Sequence, residues 1–309
     1  MSIAIAITTY QRPRLLARLL ESIRVQEAEP ALASSLHVVV VDNDAAAPAR
    51  PLVDTARPGF PFPLHYSVEP VRSISLARNH GVRMALELGA RFVAFIDDDE
   101  EASPGWIAEL ARVQRECRAD VVWGRVVPRL PEGTPRWVAR GGFFDRGSYP
   151  TGKRMTVAET ANALVAAHLL SAPEGPFDPR FGISGGGDSH FFRRVVDAGG
   201  TIVWAHDAVV FETVPVERAN ARWILRRAFR NGNGSVYVER AVSPARRWLP
   251  PRLARATGRI ALGMVMLPAA PLRGRALAVA ALRNIAIGLG AYSGILGYRY
   301  VAYRQVDGS

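Results

Sequence analysis

Acidic residues dominate the groups in this sequence that could do chemistry. Asp97, Asp98, Asp99 and Glu100 stand in an unbroken row after the apolar run Phe92-Val93-Ala94-Phe95-Ile96. A solvated loop has no need of so many carboxylates directly after a buried strand. In an extended segment residues i and i+2 point the same way, so Asp97 and Asp99 are expected to converge on one hard divalent cation, manganese or magnesium, with Asp98 facing elsewhere. Asp42 follows a second apolar run, where Asp and Asn also simply begin turns. Asp188 comes after Gly185-Gly186-Gly187 and opens a helical pattern. A carboxylate there can take a proton from a substrate or cap free helical N–H groups, and the residue types leave both roles open.

Several chemistries are excluded. No G-x-G-x-x-G follows the first strand and no G-x-x-x-x-G-K-[ST] occurs, so dinucleotide and P-loop sites lack their glycine cradle, and a phosphate-bearing ligand would need a metal instead. The six histidines show no H-E-x-x-H spacing, and Cys117 is the only cysteine, which rules out thiolate zinc clusters and intramolecular disulfides and suits a reducing compartment.

The elements that must hold these acids follow from periodicity. Short β-branched runs at 3–8, 37–41, 64–68, 91–96 and 121–127 read as strands, with helical patterns over 15–23, 74–88 and 104–117 between them. This alternation predicts an α/β fold: a mostly parallel sheet flanked by helices, with ligands beyond the carboxyl ends of the strands. Thr8-Thr9-Tyr10, Asp42-Asn43-Asp44 and Asp97-Asp98-Asp99 all stand at such ends. Residues 124–179, rich in Pro and Gly, read as loops over the active face. A helix over 188–197, strands at 201–204 and 209–211, and a helix from about 216 follow. The last carries Arg222, Arg226 and Arg230 as one basic stripe, which suits a solvated face and could also meet a phosphate or an anionic membrane.

In this order the motifs Ile7-Thr8-Thr9-Tyr10-Gln11-Arg12-Pro13, Val41-Asp42-Asn43, Ala77-Arg78-Asn79-His80-Gly81, Phe95-Ile96-Asp97-Asp98-Asp99-Glu100 and Gly185-Gly186-Gly187-Asp188 resemble family 2 glycosyltransferases of GT-A fold over roughly residues 1–240. Arg72-Ser73-Ile74-Ser75-Leu76-Ala77-Arg78-Asn79, Trp137 with Gly141-Gly142-Phe143-Phe144, and Phe211-Glu212-Thr213-Val214-Pro215 are similar to bacterial exopolysaccharide enzymes of the succinoglycan glucosyltransferase type. The resemblance implies that Thr8, Tyr10 and Asp42 hold the nucleobase, that Arg78 or Asn79 lies near the ribose or diphosphate, that Asp97 and Asp99 flank nucleotide and metal, and that Asp188 is the general base. This chain departs from the family pattern at Gly187, where Glu is usual, and at His190, where a second acid is usual.

The reading is a metal-dependent, inverting transferase that moves a hexose, glucose favoured, from a nucleotide-sugar, UDP-sugar favoured, to a lipid-linked or polysaccharide acceptor in exopolysaccharide assembly. A sugar nucleotidyltransferase and an inactive nucleotide-binding scaffold are the rivals. The net charge is +11, of which residues 241–309 hold +9, from ten arginines and one aspartate. Apolar stretches at 260–272 and 276–297 accompany that charge. We therefore expect a catalytic domain over 1–240 and a basic, apolar helical extension over 241–309 associated with the cytoplasmic face of the bacterial inner membrane, with two buried helices closing the domain as the alternative. Nucleic-acid binding is not expected, because the charge lacks interleaved aromatic residues.

Overall fold

The computed structural model describes residues 1–243 and 247–300. Nine strands form one sheet: β1 (Ile3–Thr9), β2 (Leu36–Asp42), β3 (Leu64–Val68), β4 (Phe92–Asp97), β5 (Glu100–Ala102), β6 (Val121–Arg129), β7 (Arg154–Met155), β8 (Ala163–Ala166) and β9 (Ile202–Thr213). Their order is β3-β2-β1-β4-β8-β6-β9-β5, with β7 added on β9. The half β3-β2-β1-β4 is parallel, so Thr9, Asp42 and Asp97 all emerge at its carboxyl edge.

The packing explains the strand sequences. Ile3, Ile5 and Ile7 of β1 face a core shared with Leu16, Leu19, Leu20 and Ile23 of α1 (Pro13–Arg24). Ala4 and Ala6 face the opposite core. That core lies beneath α2 (Ile74–Glu87), which contributes Val82 and Ala85. A strand covered on both faces has no polar side to show, hence a continuous apolar run in place of alternation. Pro13 suits the first helical position of α1, where no N–H is needed. The Ser73 hydroxyl caps α2 by accepting the Leu76 N–H at 3.3 Å. α3 (Trp106–Cys117) covers the α1 side with Trp106, Ile107 and Leu110, all fully buried.

The sheet departs from the sequence expectation in its second half. Residues 163–166 lie within the segment read as loops, yet form β8 in the middle of the sheet, antiparallel to both β4 and β6. Four residues are too few to show a period. What fixes β8 is Asn162, buried at φ 60°, whose side chain accepts from the Trp106 indole N–H at 2.7 Å and donates to the carbonyls of Arg125 and Ala208. The expected strands at 201–204 and 209–211 are one strand, β9. Its pairing with β6 jumps from Gly124↔Ala205 to Arg125↔Val209, so the polar His206-Asp207 sits in a bulge that hides the continuity.

Beyond α4 (Gly187–Asp197) the described residues form three longer helices: α5 (Ala221–Val242), α6 (Leu249–Met266) and α7 (Arg275–Ile295). The expected start of α5 near Val216 is a single 3-10 turn, Val216–Arg218; α5 begins after Asn220, whose side chain accepts the Trp223 N–H at 3.0 Å. Glycines let the three backbones close up: a Cβ on Gly290 would lie 2.0 Å from the Phe229 carbonyl oxygen, and one on Gly263 2.5 Å from that of Ala281. α7 thus packs against α5 on one side and α6 on the other.

Candidate active site

A cleft of about 510 Å³ opens beyond the carboxyl edge of β4, between α4, α5 and the segment 156–161. Asp97, Arg78, Glu159, Asp188, Arg227 and Arg230 are among its lining residues. The fold therefore brings Asp97 and Asp188, some 90 residues apart in sequence, into one cavity.

Asp97 ends β4 and is half-exposed; its carboxylate accepts from the Arg78 guanidinium at 3.2 Å. Residues 98 and 99 are not extended but form a two-residue turn into β5. Glu100 closes that turn by accepting the Asp97 N–H at 2.9 Å. The i, i+2 alternation assumed from sequence does not apply there. Asp98 is buried and accepts from Thr9 at 2.9 Å and Arg12 at 3.1 Å. Asp99 shares that Arg12 at 3.4 Å and lies 3.9 Å from Arg218. Burial, then Asp98, Asp97 and Glu212, push its carboxyl up to about 7. Glu100 is raised well above the usual range by burial and by Asp97.

Among the described residues no three His, Cys, Asp or Glu side chains form a ready-made metal cage. The donor chemistry nonetheless fits a hard divalent cation. Burial, and then neighbouring carboxylates, raise Asp98, Asp99 and Glu100, and Mg²⁺-type ions typically take one or two protein carboxylates together with substrate phosphates.

At the β1–β2 edge, Asp42 is fully buried; its Oδ2 accepts from the Ala49 N–H at 2.9 Å and the Tyr66 hydroxyl at 3.0 Å. Among the described residues its Oδ1 has no hydrogen-bond partner. Burial raises its pKa; burial, and then the bond to Asp42, raise that of Tyr66. An orphaned acceptor at a strand's carboxyl end is what an incoming N–H donor would satisfy. Tyr10, half-buried nearby in sequence to the Thr9 end, lies under the Arg72 guanidinium, 4.7 Å from ring to carbon. Asn43 holds the connecting loop, donating to the Glu69 and Val71 carbonyls and accepting the Ser73 N–H. Thr8 shares a small recess with Arg78 and Asp97.

Asn79 is not turned to the cleft. Its amide donates to the Phe177 carbonyl at 2.8 Å and accepts the Phe177 N–H at 2.9 Å, locking the loop before α4 onto α2.

Asp188 lies in the first turn of α4, but the N-cap position belongs to Gly186, at φ 91°. Asp188 is therefore not the N-cap residue. Among the described residues its Oδ1 accepts only the adjacent Ser189 N–H, at 2.7 Å, and the carboxylate lines the cleft. Gly187 is buried; a Cβ there would meet the Ser75 hydroxyl at 3.3 Å and Phe181 at 3.4 Å. His190 is buried with its ring stacked 4.9 Å from Phe181, away from the cleft lining, and burial lowers its pKa.

Sequence reasoning missed Glu159 and Arg146. Arg146 donates to Glu159 at 2.8 Å and to Glu212 at 2.7 Å, fastening the loop 140–153 to β9. Desolvation, and in part Asp188, push Glu159 above its usual range against the pull of Arg146. Only the tertiary fold pairs these groups; neither sits in a spaced motif.

The sheet carries acids at the end of its fourth strand and a further acid stands across the cleft. The family 2 glycosyl transferase model matches residues 4–170. The chain is 33% identical over 304 residues to succinoglycan biosynthesis protein ExoM of Rhizobium meliloti strain 1021, covering 97% of this chain and 95% of that protein. This chain belongs to glycosyl transferase family 2. It is also 28% identical over 162 residues to glycosyltransferase AglE of Haloferax volcanii, covering 52% of this chain and 50% of that protein. Its fold is similar to mannosyltransferase PcManGT of Pyrobaculum calidifontis, solved with GDP-Man and Mn²⁺, with TM-score 0.61 at 19% identity over 95% of this chain and 86% of that one. S. aureus TarS with UDP-GlcNAc gives TM-score 0.56 at 17% identity, covering 100% of this chain and 95% of that one.

Proposed function

We propose that this chain transfers a hexose, with glucose favoured, from a UDP-sugar to a lipid-linked or polysaccharide acceptor with inversion, as a step in exopolysaccharide assembly. The observation that carries the reading is the shared cleft: a half-exposed Asp97 at the strand end and a cleft-facing Asp188 at the glycine-rich start of α4. The likeness to ExoM over nearly the whole chain supports the pathway. Asp42 accepts a base N–H through Oδ1, which has no hydrogen-bond partner among the described residues, with Tyr10 and Thr8 contributed by the end of the neighbouring β1. Arg78, already on Asp97, stands where it can reach the ribose or diphosphate. Asp97 and Asp99 would hold a divalent cation, supported by the Mn²⁺ in the PcManGT complex. Such an ion supplies Lewis-acid stabilisation to a departing diphosphate. Asp188 takes the proton from the acceptor hydroxyl as that oxygen attacks the anomeric carbon from the face opposite the leaving group.

Melting the protein with UDP, GDP and dTDP and their sugars, each with and without manganese, tests the donor. A ligand bound only by the native state raises the melting temperature with its occupancy. We expect the largest manganese-dependent rise with UDP and UDP-glucose. No rise with any nucleotide removes the transferase reading.

We further propose residues 1–240 as the catalytic domain and the remainder as its attachment to the cytoplasmic face of the inner membrane. α7 is long and apolar enough to cross a membrane, with mean hydropathy 1.4, by length and composition only. Its packing against α5 favours lying at the interface. Leu262, Met264 and Val265 of α6 and Leu289 of α7 are exposed. Basic residues near an anionic surface contribute about 1 kcal/mol each. The full chain should sediment with anionic phosphatidylglycerol vesicles at low salt and be released at high salt. Protein left in the supernatant under both conditions sinks the attachment.

A further inference from the structure

The wall that α5 gives the cleft carries two cations with no part in the site described above. Arg227 and Arg230 both line the cleft and stand three residues apart, hence on one helix face. The other arginines on that lining are matched: Arg78 by Asp97, Arg146 by Glu159 and Glu212, Arg193 by Asp197 and Arg252 by Glu239. Among the described residues, Arg227 and Arg230 have no carboxylate within ion-pair distance.

Arg227 is half-buried, and its guanidinium carbon lies 5.2 Å from the Trp223 ring centroid. Desolvation pulls its pKa below the ordinary value; Glu212 and Glu159 oppose this from beyond ion-pair distance, while Arg146 and Arg230 reinforce it. A partly desolvated guanidinium with cationic neighbours and no carboxylate of its own is an unfavourable arrangement in the empty protein. It becomes favourable when an anion enters, and guanidinium forks suit phosphate oxygens.

We propose that Arg227 and Arg230 form a subsite for a phosphate or diphosphate group that a substrate carries into the cleft. The proposal rests on the transferase reading and deepens it. Two substrates can bring that chemistry: the donor through its own diphosphate, or an acceptor carrying a phosphate. The neighbourhood favours the acceptor, because the cleft lining extends to Arg252 of α6, the helix that exposes Leu262, Met264 and Val265. An amphiphile with its headgroup in the cleft can rest its chain on that surface.

The test uses the full chain with Arg227→Met, Arg230→Met and the double variant. Calorimetric titrations use inorganic pyrophosphate, uridine, UDP and, on UDP-saturated protein, geranyl diphosphate. EDTA is present throughout to silence the acidic site. We expect each single variant to weaken pyrophosphate about tenfold, the scale of one charge-assisted contact, with uridine affinity and melting temperature unchanged. A matching loss for UDP assigns the subsite to the donor; a loss for pyrophosphate and geranyl diphosphate with UDP unchanged assigns it to the acceptor. Pyrophosphate that binds the double variant as well as the parent, or does not bind the parent, overturns the subsite. A parent protein that binds pyrophosphate through these arginines but neither uridine nor UDP keeps the subsite and removes the transferase reading.

Discussion

Asp188→Asn is expected to slow sugar transfer at least about 100-fold, the lower bound of what general base catalysis contributes, while donor binding and melting temperature stay near those of the parent. The substitution separates chemistry from structure because of where Asp188 sits. The N-cap position is filled by Gly186, and the only bond the carboxylate accepts among the described residues is from the Ser189 N–H, which an amide oxygen can accept equally well. Little stability therefore rides on the charge itself. Steady-state transfer with saturating donor reads the effect. Rates within a few-fold of the parent would take the base assignment from Asp188 and move it to Glu159, the other half-exposed carboxylate beside it. His190 is no candidate, being stacked under Phe181 in the core.

The parallel half of the fold was legible in the sequence because its strands are covered on both faces, and such strands show as bare apolar runs. Asp42 and Asp97 were legible for the same reason: they are the first polar residues after those runs. Legibility failed where a side chain far away decides the outcome. β8 is held by Asn162 bonding to Trp106, Arg125 and Ala208, partners scattered over about a hundred residues. The pairing of Arg146 with Glu159 and Glu212 is likewise a product of the closed fold. Local reasoning also failed at 98–99, since the two-residue turn is fixed by Glu100 reaching back to the Asp97 N–H. The arginine stripe was half legible. Its spacing found Arg230, but the residue that burial and Trp223 single out is Arg227, one position off the stripe.

That turn frames the second large effect, expected for Asp99→Asn. The variant should lose the manganese-dependent part of nucleoside diphosphate binding, about 100-fold, while affinity without metal changes by less than about threefold. Removing residues that merely orient metal ligands costs 10- to 100-fold in metal affinity, so a direct ligand should reach the top of that range. The fold should survive, because Asn keeps the shape and removes a charge that Asp98, Asp97 and Glu212 all repel. Arg12 retains Asp98 at 3.1 Å as its nearer partner. Asp98→Asn supplies the contrast. That carboxylate is buried between Thr9 and Arg12, so its loss should lower the melting temperature and leave the manganese response in place. Calorimetry of UDP with and without manganese on the three proteins separates these outcomes. A full manganese response in Asp99→Asn would leave the cation to Asp97 and make Asp99 a partner of Arg12 and Arg218 that sets the charge of the turn.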